Sequence, residues 1–135
     1  MADLELLTKI NDICLFVPDM EKAVDFYENK MGFKLKSRRG ALYTEFEFQG
    51  TGLTLWAEEE VASYAIPKEC LGKEGHHFMI AIKVENPQIV DDISAELTKN
   101  GVECISVPKN YHWKCRAAYF KDINGNIWEI FAWLV

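Results

Sequence analysis

Two stretches of the chain carry the same alternation of apolar and polar positions. Residues 12–35, DICLFVPDMEKAVDFYENKMGFKL, and residues 79–104, MIAIKVENPQIVDDISAELTKNGVEC, each read as an apolar strand, a polar helix start, an amphipathic helix, a glycine and a second strand. Ile13, Leu15 and Val17 align with Ile80, Ile82 and Val84, and Gly32-Phe33 aligns with Gly101-Val102. A repeat of this size is a supersecondary unit used twice, so it frames the fold before any single motif does.

The helical parts have clear edges. Met20, Ala23, Val24, Tyr27 and Met31 fall on one stripe of a helix, with Asp19 as N-cap and Gly32 as stop. In the second copy Asn86 caps, Pro87 takes the first helical position, and Ile89, Val90, Ile93 and Leu97 form the stripe before Gly101. Strand-like runs follow each helix. They are FKLKSR, ALYTEFEF and GLTLWAE in the first copy, and VECISV, WKCRAAYFK and NIWEIFAW in the second.

Each copy therefore predicts a βαβββ module, and the fold class is α+β. The expected organisation is one domain: module one at about 8–58, a linker or loop at about 59–76, and module two at about 77–135. One such module leaves a sheet face bare. Two tandem modules side by side predict a curved mixed sheet, with helices on its convex side and a concave pocket on the other.

Strand parity then names the residues on the pocket face. Asp12 brings Cys14 and Phe16; Thr54 brings Trp56; Glu129 brings Ile127, Phe131 and Trp133. The strand at 111–121 leaves two registers open. If Asp122 pairs with Asn126 across the DINGN turn, Tyr119 lies opposite Glu129 and its hydroxyl satisfies the carboxylate. If Asp122 pairs with Ile127, Phe120 takes that place and Arg116 reaches the cleft near Trp133.

Composition narrows the partners. Among 135 residues, 49% are hydrophobic and 27% charged, the balance of a globular domain. A formal charge of −6, with only KSRRG as a short basic cluster, argues against nucleic acid. Cys14, Cys70, Cys104 and Cys115 show no C-x-x-C spacing, which argues against a cysteine metal cage or a thioredoxin-like centre. No apolar run approaches the ~18 residues that span a membrane. The start, MADLELLTKI, lacks a signal-peptide core. A cytoplasmic location is expected.

The stretches FVPDMEKAVDFYENKMGFKL and YFKDINGNIWEIFAW, together with the repeat, resemble the vicinal oxygen chelate superfamily. That group includes glyoxalase I, extradiol dioxygenases, fosfomycin-resistance enzymes and bleomycin-binding resistance proteins. The resemblance covers residues 10–134 and implies a homodimer with a small-molecule ligand or substrate. It also implies a divalent metal (Zn, Mn, Fe or Ni) held from the first and last strands of each module. Those positions fall at Asp12, Met79 and Glu129, and at Thr54, or at Trp56 if the strand is shifted by two. A thioether is a poor ligand for hard or borderline ions. His77, two residues before Met79, would complete a set of Asp12, His77 and Glu129.

Glu129 is the one charge in the run IWEIFA. A buried carboxylate without partners costs several kcal/mol or turns neutral, so it needs an assignment. Four stay open: metal ligand, catalytic acid or base, hydrogen-bond partner of a ligand, or structural pair. Around it, Phe16, Trp56, Met79, Arg116, Tyr119, Phe131 and Trp133 are the candidate ligand-binding residues. The resemblance implies a small-molecule binding protein of the bleomycin-resistance type. The alternative is a metal-dependent glyoxalase-like lyase or isomerase, or a dioxygenase, with Glu129 catalytic.

Overall fold

A computed structural model describes residues 5, 8, 11–64, 68, 71 and 79–135. The first repeat forms β1 (Asp12–Val17), α1 (Met20–Asp25), β2 (Leu35–Arg39), β3 (Tyr43–Phe46) and β4 (Gly52–Ala57). A short helix, α2 (Glu58–Tyr64), follows. The second repeat forms β5 (Met79–Lys83), α3 (Pro87–Lys99), β6 (Glu103–Tyr111), β7 (Cys115–Lys121) and β8 (Ile127–Trp133). Each repeat builds a four-stranded mixed sheet, in the orders β1-β4-β3-β2 and β5-β8-β7-β6. In both, the first strand runs parallel to the last, and the other neighbours are antiparallel.

The chain divides into two compact units. The first holds the described residues up to 24 and those from 33 to 71; the second holds 25–32 and the described residues from 79 onward. In the first unit, Leu15, Val17, Phe46, Leu53 and Leu55 are buried together with Met20, Ala23 and Val24 of α1. Burial of each large apolar side chain contributes roughly 1.5–3 kcal/mol, so this set dominates the unit's stability. Asp19 caps α1 by accepting from the Lys22 backbone N–H at 3.1 Å. The Thr44 hydroxyl donates to Met20 Sδ at 3.2 Å, which marks the face of the first sheet that meets α1.

In the second unit Asn86 caps α3 through the Ile89 N–H at 3.1 Å, with Pro87 just inside the helix. Val90, Ser94 and Leu97 are buried, as are Ile80, Trp128, Ile130, Ala132, Ala118 and Phe120 on one parity of the second sheet. The opposite parity carries Glu129.

Two elements depart from the sequence expectation. The apolar stripe through Met31 predicts one regular helix, but winding widens to a π turn at Phe26–Lys30, closed by Met31 N–H donating to the Phe26 carbonyl at 3.0 Å. The wider turn belongs to the second unit, where the Tyr27 ring lies 5.9 Å from that of Trp128. Segment 58–64, expected to be loop, is helical. Glu58, Glu59 and Glu60 occupy its first turn, where the helix dipole favours negative charge, and Val61 alone anchors it as a fully buried residue. Residues 65–67, 69–70 and 72–78, including His77 and Cys70, lie outside the described set.

Candidate functional site

The face of the second sheet opposite α3 is defined by cross-strand register. Reading across β5, β8, β7 and β6, one row is Ala81, Glu129, Tyr119 and Ser106. The next is Lys83, Phe131, Ala117 and Lys109. Beyond it stand Trp133, Cys115 and Tyr111; on the other side lie Met79, Ile127, Lys121 and Glu103. The β7–β8 turn selects the first of the two open registers: the Asp122 N–H donates to the Asn126 carbonyl at 2.9 Å, and Tyr119 sits opposite Glu129.

Glu129 is 8% exposed, and its Oε2 accepts from the Tyr119 hydroxyl at 2.5 Å. A hydrogen bond to a carboxylate is short and roughly twice as strong as a neutral one, so this pair orients both groups. The Tyr119 pKa is pushed up from its usual 10.0, first by burial and then by the bond to Glu129 and its charge. Tyr119 is therefore a donor across the neutral range. The other Glu129 oxygen takes no hydrogen bond from a described residue. Its neighbours in the row are the small Ala81 on one side and Tyr119 on the other.

An aromatic border lies at the β6–β7 turn. Tyr111 and Trp113 stack at 4.6 Å between centroids, Lys109 Nζ stands 4.9 Å from the Tyr111 centroid, and Phe131 meets Trp133 edge-on at 5.5 Å. Trp113 and Trp133 remain 48% and 53% exposed. Lys114 closes the turn at φ 65, a left-handed conformation that costs a side-chain-bearing residue about 1–2 kcal/mol.

On the first sheet, the face opposite α1 holds Cys14, Thr54, Glu45 and Ser37 in one row and Phe16, Trp56, Tyr43 and Arg39 in the next. Phe16 and Trp56 meet edge-on at 6.5 Å, and Arg39 lies 5.2 Å from the Tyr43 centroid. The register makes Thr54, not Trp56, the counterpart of Glu129, since Thr54 pairs with Cys14 as Glu129 pairs with Ala81. Asp12, at the head of β1, is exposed, accepts from Asn11 at 2.6 Å and rests over Gly52. A Cβ at Gly52 would collide with the Asp12 carboxylate.

Arg116 requires a correction. It lies on the α3 side of its sheet, where Nε and Nη2 reach Asp91 Oδ1 at 2.9 and 2.8 Å and Nη1 reaches Asn110 at 3.0 Å. The register that would turn it toward Trp133 is not formed. Of the other candidates, Met79, Tyr119, Phe131 and Trp133 share the Glu129 face, and Phe16 and Trp56 share a face of the first sheet.

Sequence reasoning missed Asp122. This residue is 6% exposed and accepts from Tyr27 Oη, from Trp128 Nε1 at 2.8 Å, from the Asn124 and Asn126 N–H groups at 2.9 Å each, and from Asn126 Nδ2 at 3.1 Å. The Tyr27 pKa is pushed far up, first by burial, then by the charge of Asp122 and the bond to it. The sequence signal was the Asp itself, six residues before a tryptophan, within a turn where aspartate is ordinary. Asp122 holds the hairpin in the register that presents Glu129 to Tyr119.

Residues 9–130 match the family model described as the Glyoxalase/Bleomycin resistance protein/Dioxygenase superfamily. The chain belongs to this superfamily. A solved structure of a superfamily protein from Nocardioides, titled glyoxalase/bleomycin resistance protein/dioxygenase, superposes with a TM-score of 0.83 at 34% identity, over 94% of this chain and 84% of that one. A superfamily enzyme from Burkholderia phytofirmans PsJN gives 0.83 at 18% identity, over 94% of this chain and 100% of that one, a likeness of fold. The uncharacterized protein YraH of Bacillus subtilis (strain 168) is 29% identical over 130 residues, 93% of this chain and 99% of that protein.

The divalent metal implied by the superfamily was tested against the donors. The first unit offers Asp12 with Thr54 in the last-strand place; the second offers the thioether of Met79 with a Glu129 already bonded to Tyr119. Among the described residues no three His, Cys, Asp or Glu side chains gather to hold an ion. The described donors do not fit a resident divalent ion. Nucleophilic sulfur has no support either. Burial, the largest cause in each case, pushes up the thiols of Cys14, Cys104 and Cys115, with the Glu129 charge adding to it at Cys115.

Proposed function

We propose that this protein binds a small organic molecule on the Glu129 face of its second sheet, without a metal ion. The observation that supports this is the Glu129–Tyr119 pair: a nearly buried carboxylate, fixed by one hydroxyl, with its second oxygen unclaimed beside the small Ala81 and on the same face as Phe131 and Trp133. That second oxygen is not among the buried atoms left without a partner, so it stays accessible to a ligand's donor, and a hydrogen bond to a carboxylate is stronger than a neutral one. The rings of Phe131, Trp133, Tyr111 and Trp113 favour flat partners. A sequestering or sensing role, as in the bleomycin-resistance branch, follows from this reading, and a homodimer accompanies it.

The experiment is a tryptophan-fluorescence titration of metal-stripped protein with a panel of flat aromatic compounds. Saturable quenching that is unchanged by chelator supports the proposal, and Glu129→Ala should weaken it. Loss of all binding on chelation, with near-stoichiometric metal in untagged protein that disappears in Glu129→Ala, would favour a metal-dependent lyase, isomerase or dioxygenase instead.

A further inference from the structure

The class of ligand is written in the row arrangement. Glu129 Oε1 has one need, a hydrogen-bond donor, because Tyr119 already supplies the other oxygen. Ala81 lies directly across from Glu129 on β5 and leaves bare sheet beside it. Two residues further along the same strand and on the same face stands Lys83, exposed, opposite Phe131. Among the described residues Lys83 has no ion-pair partner. Of the other cations on this face, Lys109 lies over Tyr111, and Lys121 stands in the row on the opposite side of Glu129, between Ile127 and Glu103 in register.

Lys83 is the diagonal neighbour of Glu129 across the parallel β5–β8 pair, a backbone spacing on the order of 7–8 Å from which the two side chains can reach the ends of one substituted aromatic ring. We infer that the ligand is a planar ring that carries an N–H donor at one end, for Glu129, and an anionic group at the other, for Lys83. It lies over Ala81 with Phe131 against its edge. A purely cationic ligand meets Lys83 with like charge, and a purely anionic one meets Glu129 with like charge. Only an amphoteric ligand satisfies both. This rests on the binding role proposed above and adds the chemistry of the ligand.

The test uses three probes by calorimetry with the intact protein: 4-aminobenzoate, which has both groups, aniline, which lacks the anion, and benzoate, which lacks the donor. The expected order is 4-aminobenzoate about tenfold tighter than either, the value of one charge-assisted hydrogen bond. Glu129→Gln keeps the bond from Tyr119 but turns the open oxygen into a donor, and should bring 4-aminobenzoate down to the level of benzoate. Lys83→Ala, at an exposed position, should bring it down to the level of aniline. Equal binding of the three probes, or 4-aminobenzoate affinity unchanged in both variants, would overturn the inference while leaving the binding role standing. Binding of none of them, together with no quenching by any flat compound, would overturn both.

Discussion

Replacing Asp122 by asparagine tests the most heavily bonded side chain of the second unit. The substitution preserves volume and one acceptor oxygen. That oxygen continues to serve the two turn N–H groups now bound by Oδ1. The other oxygen, which accepts from Tyr27 Oη, Trp128 Nε1 and Asn126 Nδ2, becomes an NH2 group. Tyr27 can rotate its hydroxyl to accept, and Asn126 is partly exposed, but the indole N–H of Trp128 has no such choice. One orphaned buried donor costs about 1–3 kcal/mol, and a lost hydrogen bond to a charged group about 1.5–3 kcal/mol. The sum, about 2.5–6 kcal/mol, corresponds to a fall in Tm of roughly 10–20 °C for a domain of this length. Urea unfolding followed by tryptophan fluorescence measures it. Tyr27→Phe removes one donor only, one hydrogen bond to a charged group, and should cost about 1.5–3 kcal/mol, roughly half as much. An Asp122→Asn protein within about 1 kcal/mol of the parent, or no more destabilised than Tyr27→Phe, would refute the account of Asp122 as a shared acceptor.

Three further outcomes are expected. Tyr27 has a folded pKa above its unfolded value near 10.0, so the folded state binds more protons above that pH and stability falls as pH rises, by about 1.4 kcal/mol per unit. Urea midpoints at pH 8 and pH 11 should show this, with a shallower fall in Tyr27→Phe. Lys114→Gly relieves the left-handed turn residue and should raise stability by about 0.5–1 kcal/mol, after allowing for the looser unfolded chain, in a thermal melt. Arg116→Ala should cost about 1 kcal/mol through loss of Asp91 and leave ligand titrations unchanged, since its guanidinium faces α3.

The repeat, the succession of elements along each module and the parity of Glu129 were legible in the sequence because they follow from local alternation, whereas the spatial strand order was not. Nor was the β7 register. Both parities of residues 111–120 carry aromatic and small side chains, and the cations of the even parity can end in solvent on either face, so alternation alone does not set the register; the choice is made by one backbone bond, Asp122 to Asn126. The role of Asp122 was hidden for a different reason: Tyr27, its most distant partner, lies 95 residues earlier. The π turn escaped notice because the apolar positions keep helical spacing through it, and α2 because a single buried valine leaves no periodicity to read. At the site, the loss of a carboxylate at Thr54 and of a hard ligand at Met79 was visible in the chain, whereas the open Glu129 oxygen emerged only once Tyr119 was in place.

The π turn has a bearing on how this fold is inherited. The stretch copied in the sequence and the stretch that packs as a body have different borders: residues 25–32 are written in the first copy but packed in the second unit. A chain cut at the internal repeat boundary would strip Tyr27 from Trp128 and leave Asp122 one donor short. The second copy has thus become dependent on a fragment of its sibling. The second module therefore cannot be excised at the repeat boundary with its bonding intact, and circular permutants should open the chain outside residues 20–32.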